Sequence, residues 1–313
     1  MLIENISVLL VLFKRPESTR EILNFLLNSG VRNLYISIDC ARPHVKGEVE
    51  LVEQVKCVVH EFSSRFNIKT LLASRNNGAG FGVYSSINWF FENVEEGVII
   101  EDDCLPAEGF LEFCKRGLHE YRTNREVGFI SGCQFDKQVP MDQVCYTMIP
   151  VTWGWATWKD RWIGFDRDIS KYGFLQRFRL ISSISLPWKQ LGYFLLLFKL
   201  ADQQKMNAWD VQWCLYNWVL RRYSICPPGM LIKYLGVDSV ATHTSKEVHL
   251  NAIRPIKLNV AALDYSIGNL HRASDTKIAA AVHGAGGAFR LLRMFVSIFV
   301  PRTLFFSIRK FFR

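Results

Sequence analysis

The sequence predicts an α/β protein with a mostly parallel, Rossmann-like sheet covered by helices on both faces. Three observations carry that expectation. Strand-like and helix-like segments alternate through the first half of the chain, the order expected of βαβ units. The strand-like runs are continuously apolar, as strands buried on both faces are. With 313 residues, 49% of them hydrophobic and 21% charged, the chain can bury a substantial core in one large α/β domain, or one domain and a smaller lobe.

The elements follow in order. "ISVLLVLF" reads as the first strand, and Pro16 with Glu17 opens an amphipathic helix to Asn28 that Gly30 can end. Next come the strand "NLYISID", a helix from about Gly47 to Ser64, the strand "IKTLLAS" and a helix from about Gly80 to Asn93. The strand "GVII", a helix from about Ala107 to Tyr121 and the strand "VGFISG" complete the alternation.

The most telling stretch is "GVIIEDDCLP", where a buried-strand run stops at Glu101, Asp102 and Asp103. Ligands of open α/β sheets collect beyond the carboxyl ends of the strands, and acids gathered there repel one another unless a cation sits among them. Mg²⁺ and Mn²⁺ prefer carboxylate oxygens and keep positions open for substrate phosphates. The triplet therefore reads as a metal and diphosphate site, or as a solvated acidic turn capping the helix near Ala107. Other strand ends bring Lys14 and Arg15, Asp39, and Arg75 with Asn76 and Asn77 to the same rim. Cations and amides around a diphosphate, with one acid for a ribose or base, suit a nucleotide diphosphate. Neither a P-loop nor a G-x-G-x-x-G follows the first strand, and "NNGAGFG" is a weak signal.

Eight of the nine tryptophans fall between Trp153 and Trp218, densest in "VTWGWATWKDRW" and "NAWDVQWCLYNW". Trp155, Trp158 and Trp162 follow helical spacing, as do Trp209, Trp213 and Tyr216, so most are expected in the core. One or two remain to stack on a ligand. Asp210 stands between Trp209 and Val211, where a carboxylate needs a task or a partner; capping the following helix is the plainer alternative. His243, in "VATHT", is either a metal or phosphate ligand or an ordinary satisfied histidine.

Charge is unevenly placed. Of the net +9, the segment from Ala288 to Arg313 supplies six basic residues and no acid, leaving +3 for the preceding 287 residues. A nucleic-acid-binding body should carry a basic stripe on the fold itself, so nucleic acid is not an expected partner. The tail interleaves arginine with phenylalanine around Pro301, as a broken amphipathic helix lying in an anionic membrane interface would, or as a terminal helix packed on the core or in a dimer would. Eight cysteines without a C-x-x-C pair suit reduced thiols and a cytosolic setting. The first apolar run is too short to span a membrane and lacks the features of a signal peptide, so the expectation is a chain neither secreted nor anchored at its front end.

Taken in order, "EDD", "WGWATW", "AWDVQW" and "ATHT" resemble the motifs of bacterial nucleotide-sugar glycosyltransferases of the GT-A fold, related at a distance to N-acetylglucosaminyltransferase type I; the similarity spans about Ser7 to Lys246. The resemblance implies an inverting, metal-dependent transfer from a nucleotide diphosphate sugar, with a UDP-sugar favoured as donor, a glycan or lipid-linked acceptor, and Mn²⁺ or Mg²⁺ as cofactor. It implies Asp103 as the direct metal ligand, with Glu101 and Asp102 holding ribose, donor sugar or the metal's water shell. Asp210 matches the general base and His243 the late histidine near metal or phosphates. Arg15, Asp39 and Arg75 would hold the nucleotide, while Trp153, Trp155 and Trp209 shape the acceptor side. The expected organisation is a nucleotide-sugar-binding half over 1–136, an acceptor-binding and catalytic half over 137–265, and a linker with the basic tail over 266–313; the tail lies outside the shared region, and its own charge pattern is what places the protein at the cytosolic face of the inner membrane, in surface polysaccharide synthesis. The competing readings are a nucleotidyltransferase on the same sheet, which would usually show a Gly-rich basic loop that "FKRPEST" lacks, and a non-enzymatic membrane-associated carbohydrate or nucleotide binder, which a large distance between Asp210 and the triplet would favour.

Overall fold

The computed structural model describes residues 3–184, 186–235, 254–283 and 288–301. The expected α/β class holds. Four apolar segments form parallel strands, β1 (Ser7–Leu12), β2 (Asn33–Ile38), β3 (Asn67–Leu72) and β4 (Glu96–Glu101), in spatial order β3-β2-β1-β4. The crossovers are α1 (Pro16–Asn28), α2 (Glu48–Glu61) and α3 (Gly78–Asn93). Beyond β4 the sheet turns mixed: β8 (Trp155–Trp158) runs antiparallel to β4 and to β6 (Val127–Ser131). Then β9 (Tyr223–Cys226), β7 (Cys145–Thr147) and β11 (His271–Arg272) complete a sheet of nine strands among the described residues. Because β11 pairs with β7, the segment after residue 266 enters the sheet before it reaches α9 (Asp275–His283) and α10 (Ala288–Phe299).

Alternation along the strands gives the sheet two cores. On one face Val8, Leu10, Ile36, Val98 and Ile100 meet α1, α2 and α4 (Phe110–Glu120). On the other, Leu9, Tyr35 and Ile99 meet α3 and an aromatic cluster of Trp155, Trp162, Trp209 and Trp213. That cluster draws on α5 (Lys159–Trp162) and α8 (Asp210–Val219). Helices α6 (Phe174–Ser182) and α7 (Trp188–Asp202) pack beside α8, and α10 packs on α7.

The helical spacing of Trp155 and Trp158 is misleading, since both lie on β8. A separation of three also puts two side chains on opposite faces of a strand: Trp155 joins one core and Trp158 the other, both fully buried. The helix expected from about Ala107 begins at Phe110, because β5 (Cys104–Pro106) intervenes and pairs antiparallel with β10 (Ile232–Tyr234).

Candidate active site

The acidic triplet ends β4 at the carboxyl rim of the parallel strands, where Glu101 pairs in register with Val11 of β1. It does not cap a helix. Gly109 occupies the N-cap of α4, no side chain bonds there, and β5 separates the acids from the helix. Each acid is placed differently. Asp102 is buried and satisfied within the chain: its Oδ2 accepts the Phe13 amide at 3.0 Å and its Oδ1 the Arg15 guanidinium at 2.5 Å, while its carbonyl accepts the Ser18 hydroxyl. Those bonds clasp the loop after β1 to the end of β4. Asp103 is freer, with its side chain 22% exposed and Arg15 Nη1 at 3.5 Å from Oδ2. Its carbonyl accepts the Leu235 amide at 2.7 Å, just after β10.

Crowding sets the electrostatics. Burial, and then the Asp102 charge, pushes Asp103 up to about 6, against the pull of Arg15. Glu101 lies well above the usual carboxylate range because of burial first, then Asp103, Asp210 and Asp102. Burial weakens the charge of Arg15, but Asp102 and Asp103 outweigh it, so its net shift is upward.

Asp210 comes from the other half of the chain, as the first residue of α8. The capping alternative is not realised, since Trp209 holds the N-cap position without a side-chain bond. Burial raises Asp210 above an ordinary aspartate, against the Val211 amide, and Asp210 in turn raises Glu101. The general-base candidate therefore stands within electrostatic reach of the triplet. What sets it there is a close approach. Gly80 N–H donates to Asn207 Oδ1 at 2.9 Å, and a Cβ at Gly80 would lie 2.5 Å from that oxygen, 2.7 Å from Arg167 Nη2 and 2.9 Å from the Ala208 nitrogen. The Gly-rich segment thus lets the first turn of α3 seat against the loop that leads into Asp210.

Other expected residues are placed less simply. Asp39 accepts the Asn77 and Gly78 amides, each at 2.9 Å, and the Asn76 side chain at 3.2 Å, so it caps the start of α3 from the end of β2 instead of presenting free oxygens to a ribose. Arg75 is exposed on a cavity of about 690 Å³ at the ends of β2 and β3, shared with Asp39, Arg42 and His44; the triplet does not line it. Trp155 and Trp209 stack on one another inside the aromatic core, with ring centroids 5.5 Å apart, and neither offers a face to an acceptor. Close packing, the common fate of large aromatics, overrides that expectation for both. Trp153 remains half-buried, stacked at 4.4 Å and 11° on Tyr234, whose backbone pairs with Cys104 beside the triplet. His243 lies outside the described residues.

Three participants escaped the sequence reading. Tyr234 ends the short apolar run "MLIKY", Asn207 sits three residues before Asp210, and Glu48 is buried at the start of α2. Glu48 accepts Lys14 at 3.1 Å and Arg42 at 2.6 Å, drawing the loops after β1 and β2 together. Its signal was an acid opening a helix between two basic loops.

The donor set fits a hard divalent ion of the kind that takes one or two protein carboxylates and completes its shell with water and substrate phosphates. Asp103 is exposed enough to bind one, and the carboxyls of Asp103 and Glu101, raised first by burial and then by their acidic neighbours, are the groups whose charge a cation would stabilise. Among the described residues no group of three or more His, Cys, Asp or Glu is placed to hold a metal ion by itself.

No family model and no curated protein matches the sequence. Among solved structures, the chain is similar to the mannosyltransferase PcManGT from Pyrobaculum calidifontis in complex with GDP-Man and Mn²⁺, at a TM-score of 0.39 and 12% identity, over 68% of this chain and 69% of that one.

Proposed function

We propose that this chain is an inverting, metal-dependent glycosyltransferase that moves a sugar from a nucleotide diphosphate sugar to a glycan or lipid-linked acceptor. The observation that carries the reading is the convergence of Asp210 on an acidic triplet at the carboxyl end of a parallel strand, with Arg15 beside it. Asp103, with Glu101 close by, would hold Mn²⁺ or Mg²⁺, which supplies Lewis-acid neutralisation of the charge on the departing diphosphate. Asp210, its proton affinity raised by burial, takes the acceptor hydroxyl proton as that oxygen bonds to the anomeric carbon. The bond from that carbon to the diphosphate oxygen breaks on the opposite face, and its electron pair leaves with the nucleotide, which inverts the centre. Asp102 keeps Arg15 at the edge of the site, and the Trp153–Tyr234 stack forms a wall beside it.

A UDP-sugar is the donor favoured, and surface polysaccharide synthesis the setting. The acid-free C-terminal segment would hold the enzyme at the cytosolic face of the inner membrane. No helix among the described residues is long and apolar enough to cross a membrane.

The deciding experiment screens nucleotide sugars for donor hydrolysis with and without Mn²⁺ or Mg²⁺, using the intact chain and Asp103→Asn. The expected result is divalent-dependent release of a nucleoside diphosphate by the intact chain and none by the variant. Release of pyrophosphate from a nucleoside triphosphate and a sugar phosphate would replace this reading with nucleotidyl transfer.

A further inference from the structure

Six of the eight clustered tryptophans are buried and Trp153 is half-buried; Trp188, at the start of α7, is 74% exposed. It has company. On α6 only Arg177 and Ile181 are buried, while Phe174 and Leu175 are 67% and 69% exposed and Phe178 is exposed beside Phe174. Three of the five apolar side chains of this nine-residue helix thus face solvent, while Leu180 and Ile181 pack inward. Among the described side chains of α10, Leu292, Phe295, Val296 and Phe299 are exposed, an i, i+3, i+4, i+7 stripe along one side of a helix.

At 100° per residue, Arg290, Arg293 and Ser297 share one edge of this segment, the expected polar side. The structure turns Ser297 inward, where it is buried, and the buried Lys205 ammonium donates to the Ser297 and Ile298 carbonyls at 2.9 and 2.7 Å. A cation on the last carbonyls of a helix satisfies groups that would otherwise lack partners. It also fixes the rotation of α10, and with it the outward aim of the apolar stripe. Because α6 and α10 both pack on α7, the two sets of exposed apolar residues belong to one three-helix unit.

We propose that this α6–α7–α10 unit is a docking surface for an anionic lipid bilayer, in which the Phe174–Phe178 helix and Trp188 share the anchoring with the C-terminal helix. The inference extends the membrane reading of the tail and does not depend on the reaction catalysed. Charge selects the occupant. From Lys171 to Ala201 there are five basic residues and no acid, and none of the residues after Asp275 is acidic. Counting the bordering acids, Asp166 to Asp202 carries six basic residues against Asp166, Asp168 and Asp202, a net +3, with Lys171 paired to Asp166 and with Arg177 and Lys199 paired to Asp202. A second copy of the chain would set this basic face against itself, whereas anionic headgroups complement it. Phenylalanine and leucine suit the acyl boundary and tryptophan the headgroup level. Lys189, folded over the Trp188 ring at 5.5 Å, puts a cation at that level.

The test uses the full chain and vesicles of mixed phosphatidylglycerol and phosphatidylcholine, with pure phosphatidylcholine as control. Phe174→Ser with Phe178→Ser, and separately Trp188→Ser, should each lower co-sedimentation with the anionic vesicles by about tenfold, leave donor hydrolysis in solution unchanged, and leave the sedimentation coefficient in the absence of lipid unchanged. Hydrogen exchange of the unsubstituted chain needs no variant: vesicles should slow exchange in 174–182 and 188–199 as well as in 288–299. Protection confined to 288–299, with the α6 variants binding normally, would leave the tail as sole anchor and overturn this inference alone. If deleting 288–313 also leaves binding unchanged, the tail reading fails with it. A shift from dimer to monomer in the α6 variants would assign the surface to self-association instead.

Discussion

At Asp103, burial and the Asp102 carboxylate keep a proton bound up to about pH 6, where an ordinary aspartate lets go near 3.8. Between those values the folded chain binds more protons than the unfolded chain. The associated stability is therefore complete below the unfolded value and is lost as pH rises through the folded one. Asp103→Asn removes the effect. In the absence of divalent ions the variant should melt above the parent at pH 7.5 and close to it near pH 4, read by scanning calorimetry. Parallel pH profiles would show that the carboxyl carries no such burden. The same variant should lose divalent-dependent binding of a nucleoside diphosphate in titration calorimetry. For Asp210 the expectation is kinetic: Asp210→Asn should reduce turnover by about a hundred- to ten-thousand-fold, with donor affinity unmoved and an inverted product in any residual activity. Near-normal turnover, or retained configuration, would remove Asp210 from the base role.

At the level of elements, two junctions set the site. Glu48 opens α2, accepts Lys14 and Arg42, and is held down at about 2, first by Arg42. A lowered carboxyl contributes stability above its unfolded value and loses it as pH falls through the folded one. Glu48→Gln should therefore destabilise by about 1–3 kcal/mol at pH 7, with the difference from the parent disappearing towards pH 2, as measured by urea unfolding. A pH-independent difference would mean that packing alone is at stake. At the second junction, a methyl group at Gly80 has no room beside Asn207 and the Ala208 nitrogen. Overpacking of this kind costs about 1–3 kcal/mol, and here the strain falls on the loop leading to Asp210. Gly80→Ala should lower turnover more than donor binding, while Gly82→Ala, where the nearest contact is an ordinary 3.5 Å, should change neither. Equal kinetics for the two alanine variants would detach the Gly-rich turn from catalysis.

Across the whole molecule, the site joins distant segments: the triplet from the parallel half of the sheet, Asp210 from a helix on one face, and Tyr234 from the small β5–β10 ladder. A ligand bridging them stabilises the native state by linkage, by about 2.7 kcal/mol at about a hundredfold excess over Kd. Mn²⁺ and UDP together should raise the melting temperature beyond the sum of their separate effects, and that excess should vanish in Asp103→Asn. Additive shifts in the parent would argue against a metal-bridged diphosphate.

Much of this was legible in the chain itself. The four parallel strands, their crossovers and the helix beginning near Asp210 follow from local signals: apolar runs bounded by Gly and Pro, first-turn residues, and helical periodicity. The position of the triplet at a strand's carboxyl end follows from the same pattern. Tertiary structure decided the rest, because burial and partnership are relations between distant segments. Trp155 and Trp209 read as ligand-facing until the sheet and α8 closed around them, and Asp39 read as free until the start of α3 took up its oxygens. The direction α10 faces rested on Lys205, far away in sequence. A sequence records which groups are available, whereas which of them remain unspent depends on how the chain packs, since buried polar groups must find partners and large aromatics must fill space.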